Sequence, residues 1–324
     1  MSPDDRALAD ALTTATIEAA AARIAPHVRE TPLWRVDSAA LALPADTPRF
    51  EALLKLEQLQ CSGSFKARGM FNRLLANPIT PAGVIAASGG NAGIATALAA
   101  NALGVRAEIF VPVVTSAVKR ARLAALGAEV VVTGAVYADA LAACEARQRE
   151  SGALMTHAYD QPEVVAGAGT LARELEMQAG GAPDAVLVSV GGGGLVGGIA
   201  AWFAGRSRVI ALEPELAPTL YRAREAGAPV DVTVGGVAAD ALGARRIGRI
   251  AWAIAQRHIA DALLLDDAAI IAAQRFLWRE FKLAVEPAAA LPLAALQCGA
   301  VRPRAGERVA LIVCGANLDP ATLA

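Results

Sequence analysis

Residues 54–69, LKLEQLQCSGSFKARG, decide how the rest of the chain is read. The apolar run ending at Leu59 reads as a strand, Cys61, Ser62, Gly63 and Ser64 turn the chain, and Phe65-Lys66-Ala67-Arg68 open a helix. A lysine therefore stands at a helix start. The first amides of a helix lack internal partners, so that end disfavours an ammonium group and draws anions such as phosphate or carboxylate. An amine of lowered basicity there suits nucleophilic work. A solvated surface lysine fits the stretch as well, because the chain holds 30 Lys and Arg residues and position alone does not single one out.

The chain's 324 residues suggest about two domains, a single large one being the alternative. Hydrophobic residues make up 55% and aromatics 4%, so the core must be built from Ala, Leu and Val. A net charge of −1 and the lack of basic blocks leave no footprint for nucleic acid or an acidic membrane surface, and favour small-molecule chemistry. The N-terminal stretch has no basic segment followed by an apolar core, and no long apolar run is uninterrupted, so a cytoplasmic location is expected. Cys61, Cys144, Cys298 and Cys314 are scattered without a CxxC pair, and His27, His157 and His258 lack metal-ligand spacing.

A helix over 14–25 and an extended segment through Thr31-Pro32-Leu33 lead in. From residue 70 onward, short apolar strands alternate with helical stretches, among them GVIAAS, RAEIFVP, AEVVVTG and ALMTHA, then DAVLVSV, RVIALE and RVALIVCG. That alternation is the mark of βαβ units and parallel sheets. The reading is an α/β fold of two domains, a large one from 1–59 and 157–324 and a small one from 60–156.

Two further stretches carry chemistry. Ser88-Gly89-Gly90-Asn91-Ala92-Gly93 and Ser189-Val190-Gly191-Gly192-Gly193-Gly194-Leu195 each lie between a strand-like run and a helix of small residues. The first could hold a carboxylate at a helix start, or simply cap that helix. The second lets backbone amides approach a phosphate closely. Gly192, Gly194 and Gly197 also satisfy G-x-G-x-x-G, with Glu213 ending a later strand where a dinucleotide site would want an acid, so a nicotinamide dehydrogenase is a competing reading.

The lysine, the asparagine loop and the late glycine loop, in this order, resemble the fold type II pyridoxal-phosphate enzymes, and most closely the L-serine/L-threonine dehydratases. The resemblance runs from about Arg29 to Asn317. It implies two Rossmann-like three-layer αβα domains of the tryptophan synthase β-like class, with pyridoxal 5'-phosphate as cofactor. It further implies that Lys66 holds the cofactor covalently and takes the substrate Cα proton, that Phe65 lies against the pyridine ring and that Asn91 binds its phenolic oxygen. Gly191, Gly192, Gly193, Gly194 and Leu195 would hold the phosphate, with Ala241 against the other ring face. Ser64, Ser88, Gly89 and Asn91 would bind the substrate. Cys314 would face the ring nitrogen, as in the liver-type serine dehydratases, and Ala241-Leu242-Gly243-Ala244 resembles that branch too.

Glu213, Ala217 and Thr219 resemble the family's cation site, and the neutral Thr219 suits a weakly held monovalent ion such as K+. Racemases of the family carry a serine at position 89, where this chain has glycine, so dehydration is expected over racemisation. Glu286-Pro287 and the following small residues match a segment that shapes the site behind the cofactor, although alanine stands where the family has glycine. The expected activity is dehydration of L-serine or L-threonine to pyruvate or 2-oxobutanoate plus ammonia by β-elimination. Another 3-hydroxy amino acid, β-replacement and racemisation are the alternatives within the family, and a homodimer is the family's habit. No long C-terminal extension follows, so a regulatory domain is not expected.

Overall fold

The computed structural model describes residues 2–323; Met1 and Ala324, the outer ends of the expected large-domain range, lie outside them. Two helices open the chain, α1 (Pro3–Ala11) and α2 (Thr14–Ile24), each started by a reciprocal cap, at Ser2 and at Thr13. Sequence periodicity finds α2 but not α1, which buries only Ala9 and so shows no apolar stripe. Strands β1 (Leu33–Asp37) and β2 (Glu51–Lys55) pair antiparallel, and α3 (Lys66–Leu75) follows. The expected strand through Leu59 ends at Lys55. Glu57 then turns its side chain inward to Arg68, and Glu57–Leu59 form a 3-10 turn.

Next come β3 (Val84–Ala87), α4 (Asn91–Ala102), β4 (Ala107–Val111), α5 (Ala117–Ala125), β5 (Glu129–Val132), α6 (Tyr137–Ser151) and β6 (Leu154–Met155). They build a parallel sheet in the order β5-β4-β3-β6. The expected strand over 153–158 is only two residues long, because the His157 amide donates to the Gln161 side chain (2.9 Å) instead of joining the sheet.

The remaining elements are α7 (Pro162–Ala179), β7 (Ala185–Ser189), α8 (Gly194–Phe203), β8 (Arg208–Pro214), α9 (Thr219–Ala226), α10 (Arg249–His258), β9 (Ile259–Leu265), α11 (Asp267–Phe281), α12 (Pro287–Gln297) and β10 (Arg308–Ile312). With β1 and β2 they form a six-stranded sheet, β1-β2-β10-β7-β8-β9. Every pairing is parallel except β1 with β2. Strand β9 escaped the sequence reading because Asp261 interrupts its apolar run.

The central strands are buried on both faces, as parallel strands covered by helices must be; Val186, Leu187 and Val188 are wholly inaccessible. Alanine-rich helices allow close packing, and α7 lies against α8, α3 and α2. Strand order fixes where a site can form. In the large sheet β7, β8 and β9 run outward one way while β10 lies on the other side of β7; in the small sheet β3, β4 and β5 run one way and β6 lies on the other side of β3. Ligands of open parallel sheets bind outside the carboxyl ends of strands at such reversals. The strand ends at these two reversals lead into residues 191–194, Cys314, residues 88–91 and residues 157–159.

Candidate active site

Lys66 is the first residue of α3 and is half-buried. Its Nζ donates to the Ala158 carbonyl at 2.6 Å and lies 5.0 Å from the centroid of the Phe65 ring. Burial lowers its pKa to about 8, with the neighbouring Cys314 and Glu286 opposing that shift in so far as they ionise. The loop before it is pinned to the end of β10: the Phe65 amide donates to the Cys314 carbonyl (3.0 Å), the Ala316 amide to the Gly63 carbonyl (2.9 Å), and Ser64 bridges Gly315. Cys314 is buried and its thiol is pushed well above its ordinary range by desolvation, so it is a neutral group. Ser64 is inaccessible, and its Oγ has no hydrogen-bond partner among the described residues.

The asparagine loop converges on the same place. Asn91 begins α4, and its Nδ2 lies 3.0 and 2.9 Å from the two carboxylate oxygens of Glu286. Its Oδ1 accepts from Asn317 Nδ2 (2.6 Å), which also donates to the Ser62 carbonyl (3.0 Å). A carboxylate only accepts, so the amide nitrogen must face Glu286, and the orientation of Asn91 is fixed by its partners. The Asn317 amide donates to Glu286 as well (2.7 Å). Burial pushes Glu286 above the usual carboxylate range, and the Asn91 and Asn317 donors pull it part of the way back. Ser88 accepts from the Gly90 amide (3.4 Å), and Gly89 faces the side chain of Thr115.

The glycine loop lies between β7 and α8. Gly193 has φ +88°, which L side chains rarely adopt, and a β-carbon at Gly192 would stand 2.2 Å from the Tyr159 ring. Leu195, in the first turn of α8, is buried. Leu242, beside the half-buried Ala241, packs against Gly191, and the carbonyl of Asp240 faces Gly90, so the segment around 240–242 touches both loops. Asp240 also pairs with Lys119 of α5.

Thr219 ties Glu213 and the turn that holds Ala217 to the glycine loop. Thr219 Oγ1 lies 2.5 Å from the Gly191 carbonyl and 2.9 Å from Glu213 Oε1, and Glu213 further accepts from the Leu220 (2.8 Å) and Tyr221 (2.7 Å) amides. Ala217 donates its amide to the Pro214 carbonyl, and its own carbonyl accepts from Thr219. Glu213 is fully buried and caps the start of α9, so it presents no carboxylate to a ribose, which removes the acid that a dinucleotide site required.

A family model described as pyridoxal-phosphate dependent enzyme matches residues 24–315. The chain belongs to the pyridoxal-phosphate-dependent enzyme family. It is 36% identical over 311 residues to a phenylserine dehydratase of Ralstonia pickettii, spanning 94% of this chain and 92% of the relative. It is 36% identical to an L-threonine ammonia-lyase of Geobacter sulfurreducens, over 83% of this chain and 68% of the relative. Among solved structures, a maize serine racemase superposes with a TM-score of 0.88 at 30% identity, covering 97% of this chain and 96% of that one. A threonine deaminase from T.th. superposes with a TM-score of 0.86 at 36% identity, covering 95% of this chain and 99% of that one. The dehydratase family expected from the motifs is thus present, and these relatives do not single out its liver-type branch.

The residues of this pyridoxal-phosphate enzyme fit its cofactor. A half-buried amine with only a carbonyl as partner and an orphaned buried Ser64 hydroxyl are unmet demands that a phosphate-bearing aldehyde answers, and a side-chain-free glycine loop at the start of α8 suits its phosphate. Two contributors escaped the sequence reading. Tyr159, whose ring covers Gly192, and Ala158, whose carbonyl holds Lys66, lie in an irregular crossover with no motif of its own. The Glu286-Pro287 pair was legible as a site segment, but its grip on Asn91 was not.

Proposed function

We propose that this chain is a pyridoxal-phosphate-dependent ammonia-lyase that dehydrates a 3-hydroxy-L-amino acid, serine, threonine or phenylserine, to a 2-oxo acid and ammonia. The observation that carries the reading is the half-buried amine of Lys66, held only by the Ala158 carbonyl and lowered in basicity by desolvation, beside a neutral thiol, Cys314. Lys66 would hold the cofactor, with Phe65 and Ala241 on its two faces, Asn91 at its phenolic oxygen, residues 191–194 and Leu195 at its phosphate and Cys314 at its ring nitrogen. When bound, pyridoxal phosphate supplies the electron-withdrawing ring that makes the substrate Cα–H acidic.

The chain's own groups do the rest. An amine with a pKa of about 8 is partly neutral at physiological pH, so Lys66 can accept the Cα proton and return it. Amides at the start of α4, with Ser64, Ser88 and Gly89, bind and orient the substrate carboxylate. A thiol cannot keep a ring nitrogen protonated as a carboxylate would, which favours loss of a β-hydroxyl over transamination, and this feature also supports the liver-type likeness. Gly89 offers no proton donor of its own, which disfavours racemisation. A division into residues 1–59 with 157–324 and 60–156, a homodimer, a cytoplasmic location and a monovalent cation such as K+ at Glu213, Ala217 and Thr219 accompany this reading; no helix among the described residues is long and apolar enough to cross a membrane.

The test is an absorption spectrum of the purified protein before and after borohydride, followed by L-serine, L-threonine and L-phenylserine in parallel. A yellow band fixed by reduction onto the Lys66 peptide, with oxo acid and ammonia released in the unreduced sample, is expected. A protein that takes up no pyridoxal phosphate, or a Lys66→Ala variant that still releases ammonia, would sink the proposal.

A further inference from the structure

Beneath α3 lies a group of four charges, Lys55, Glu57 and Arg68 buried and Glu174 half-buried. Arg68, 1% exposed, grips Glu57, 0% exposed, in a bidentate pair: Nε lies 2.8 Å from Glu57 Oε2 and Nη2 lies 2.7 Å from Oε1. Arg68 Nη2 also reaches Glu174 Oε2 at 2.9 Å, and Lys55, wholly buried, reaches Glu174 Oε1 at 2.5 Å. The Thr31 hydroxyl donates to Glu57 (2.5 Å), its carbonyl accepts from Lys55 (2.7 Å), and its amide donates to Glu174 (2.8 Å). The group therefore ties the lead-in segment, β2, the 3-10 turn, α3 and α7 together, and its formal charges cancel.

Stability alone does not explain it. Desolvating two charges costs several kcal/mol per ion, and well-packed apolar side chains of similar volume generally serve a fold as well or better. What such a pair supplies is one fixed geometry, because a guanidinium fork meets a carboxylate in a single plane. Arg68 is two residues from Lys66 in the first turn of α3, so the plane of the Arg68–Glu57 pair sets both the rotation of that turn and the height from which the Lys66 side chain departs.

We infer that Arg68 and Glu57 are positioning residues for Lys66: their buried bidentate pair fixes the first turn of α3, and with it the direction of the reactive amine. The inference deepens the proposed function and rests on Lys66 being the reactive group. A reacting atom misplaced by about 1 Å costs on the order of a hundredfold in rate, so the pair acts on turnover more than on substrate affinity.

Two variants test this. Arg68→Lys keeps the charge but cannot grip both oxygens, and Glu57→Leu/Arg68→Met replaces the pair by apolar volume. The readouts are the unfolding midpoint, kcat and KM with L-threonine in the holoenzyme, and the pH profile of Lys66 acetylation by acetic anhydride in the apo-protein, followed on its peptide. For the double variant a near-parental midpoint is expected, with kcat down by about tenfold to a hundredfold, KM nearly unchanged and the Lys66 profile displaced from about pH 8. Arg68→Lys is expected to lower kcat in the same sense. Parental kcat and a parental acetylation profile in either folded variant would overturn the inference and leave the pair a scaffold. Failure of the reading beneath it looks different, because Lys66→Ala would then keep turnover while the acetylation profiles still responded to Arg68.

Discussion

Both carboxylate oxygens of Glu286 lie within 3.0 Å of Asn91 Nδ2, joining residues 195 positions apart and tying the start of α4 to the segment before α12. With Asn317 on its other side, Asn91 cannot rotate without breaking charge-assisted bonds, so it offers its remaining N–H in one direction. Removing that anchor forfeits bonds worth about 1.5–3 kcal/mol. Glu286→Ala is therefore expected to weaken pyridoxal-phosphate binding by roughly tenfold to a hundredfold, with Glu286→Gln in between. Titration of the apo-protein with cofactor measures this directly, and an unchanged dissociation constant in Glu286→Ala would show that Asn91 does not need its anchor.

Lys66 should declare itself by pH. Its folded value of about 8 lies below the ordinary 10.5, so the folded apo-protein releases this proton first. Between those two values the unfolded chain holds the extra proton, so this group makes stability rise as pH climbs from about 8 toward 10.5; below 8 the charged buried amine is a liability. Lys66→Met should stabilise the apo-protein at about pH 7 and flatten the rise above 8. Denaturant unfolding of both apo-proteins at several pH values checks it, and parallel profiles would refute the perturbed lysine.

Much of this was legible in the chain because it depends on local pattern. The strand and helix alternation, the glycine run at 191–194 and the lysine after Ser62-Gly63-Ser64 are short-range signals with a direct backbone cause. The misses share the opposite trait. Lys55 and Glu57 look like surface charges in sequence, and only Arg68, Glu174 and Thr31 arriving from distant segments make their burial tolerable. Tyr159 is a lone aromatic until β6 ends early and carries it over Gly192. The Glu213 carboxylate was read as a candidate ribose ligand, whereas its hydrogen bonds form a helix cap that depends on the turn over 214–219 and that no short-range pattern announces.

The contact of Tyr159 with Gly192 predicts a clash and its relief. In Gly192→Ala a methyl group would stand 2.2 Å from the tyrosine ring, so either the ring or the loop must move, and the amides that line the phosphate site move with the loop. Cofactor affinity should fall, by about tenfold or more if the displacement costs about 1.4 kcal/mol. Adding Tyr159→Ala removes the obstruction, and the double variant should bind cofactor more tightly than Gly192→Ala alone. Equal affinity in the single and double variants would mean that the loss has another cause.

The cation proposal turns on Glu213. Burial raises its pKa to about 7, with its helix-cap donors opposing, so the folded state prefers the proton more than the unfolded chain does. The sign is therefore opposite to that of Lys66: this group favours folding below its unfolded value of 4.5 and loses that contribution as pH rises through about 7, leaving an unfavourable buried charge above it. A monovalent cation beside the carboxylate would cancel that charge, so K+ should stabilise the protein at about pH 8 and do little at about pH 5.5. Tetramethylammonium at equal ionic strength is too large to enter and controls for screening. Thermal unfolding in the two chlorides, with Glu213→Gln alongside, decides the matter. A higher midpoint in KCl that disappears in Glu213→Gln supports a cation held by Glu213, Ala217 and Thr219, whereas equal midpoints at the higher pH would leave Glu213 as the cap of α9 and nothing more.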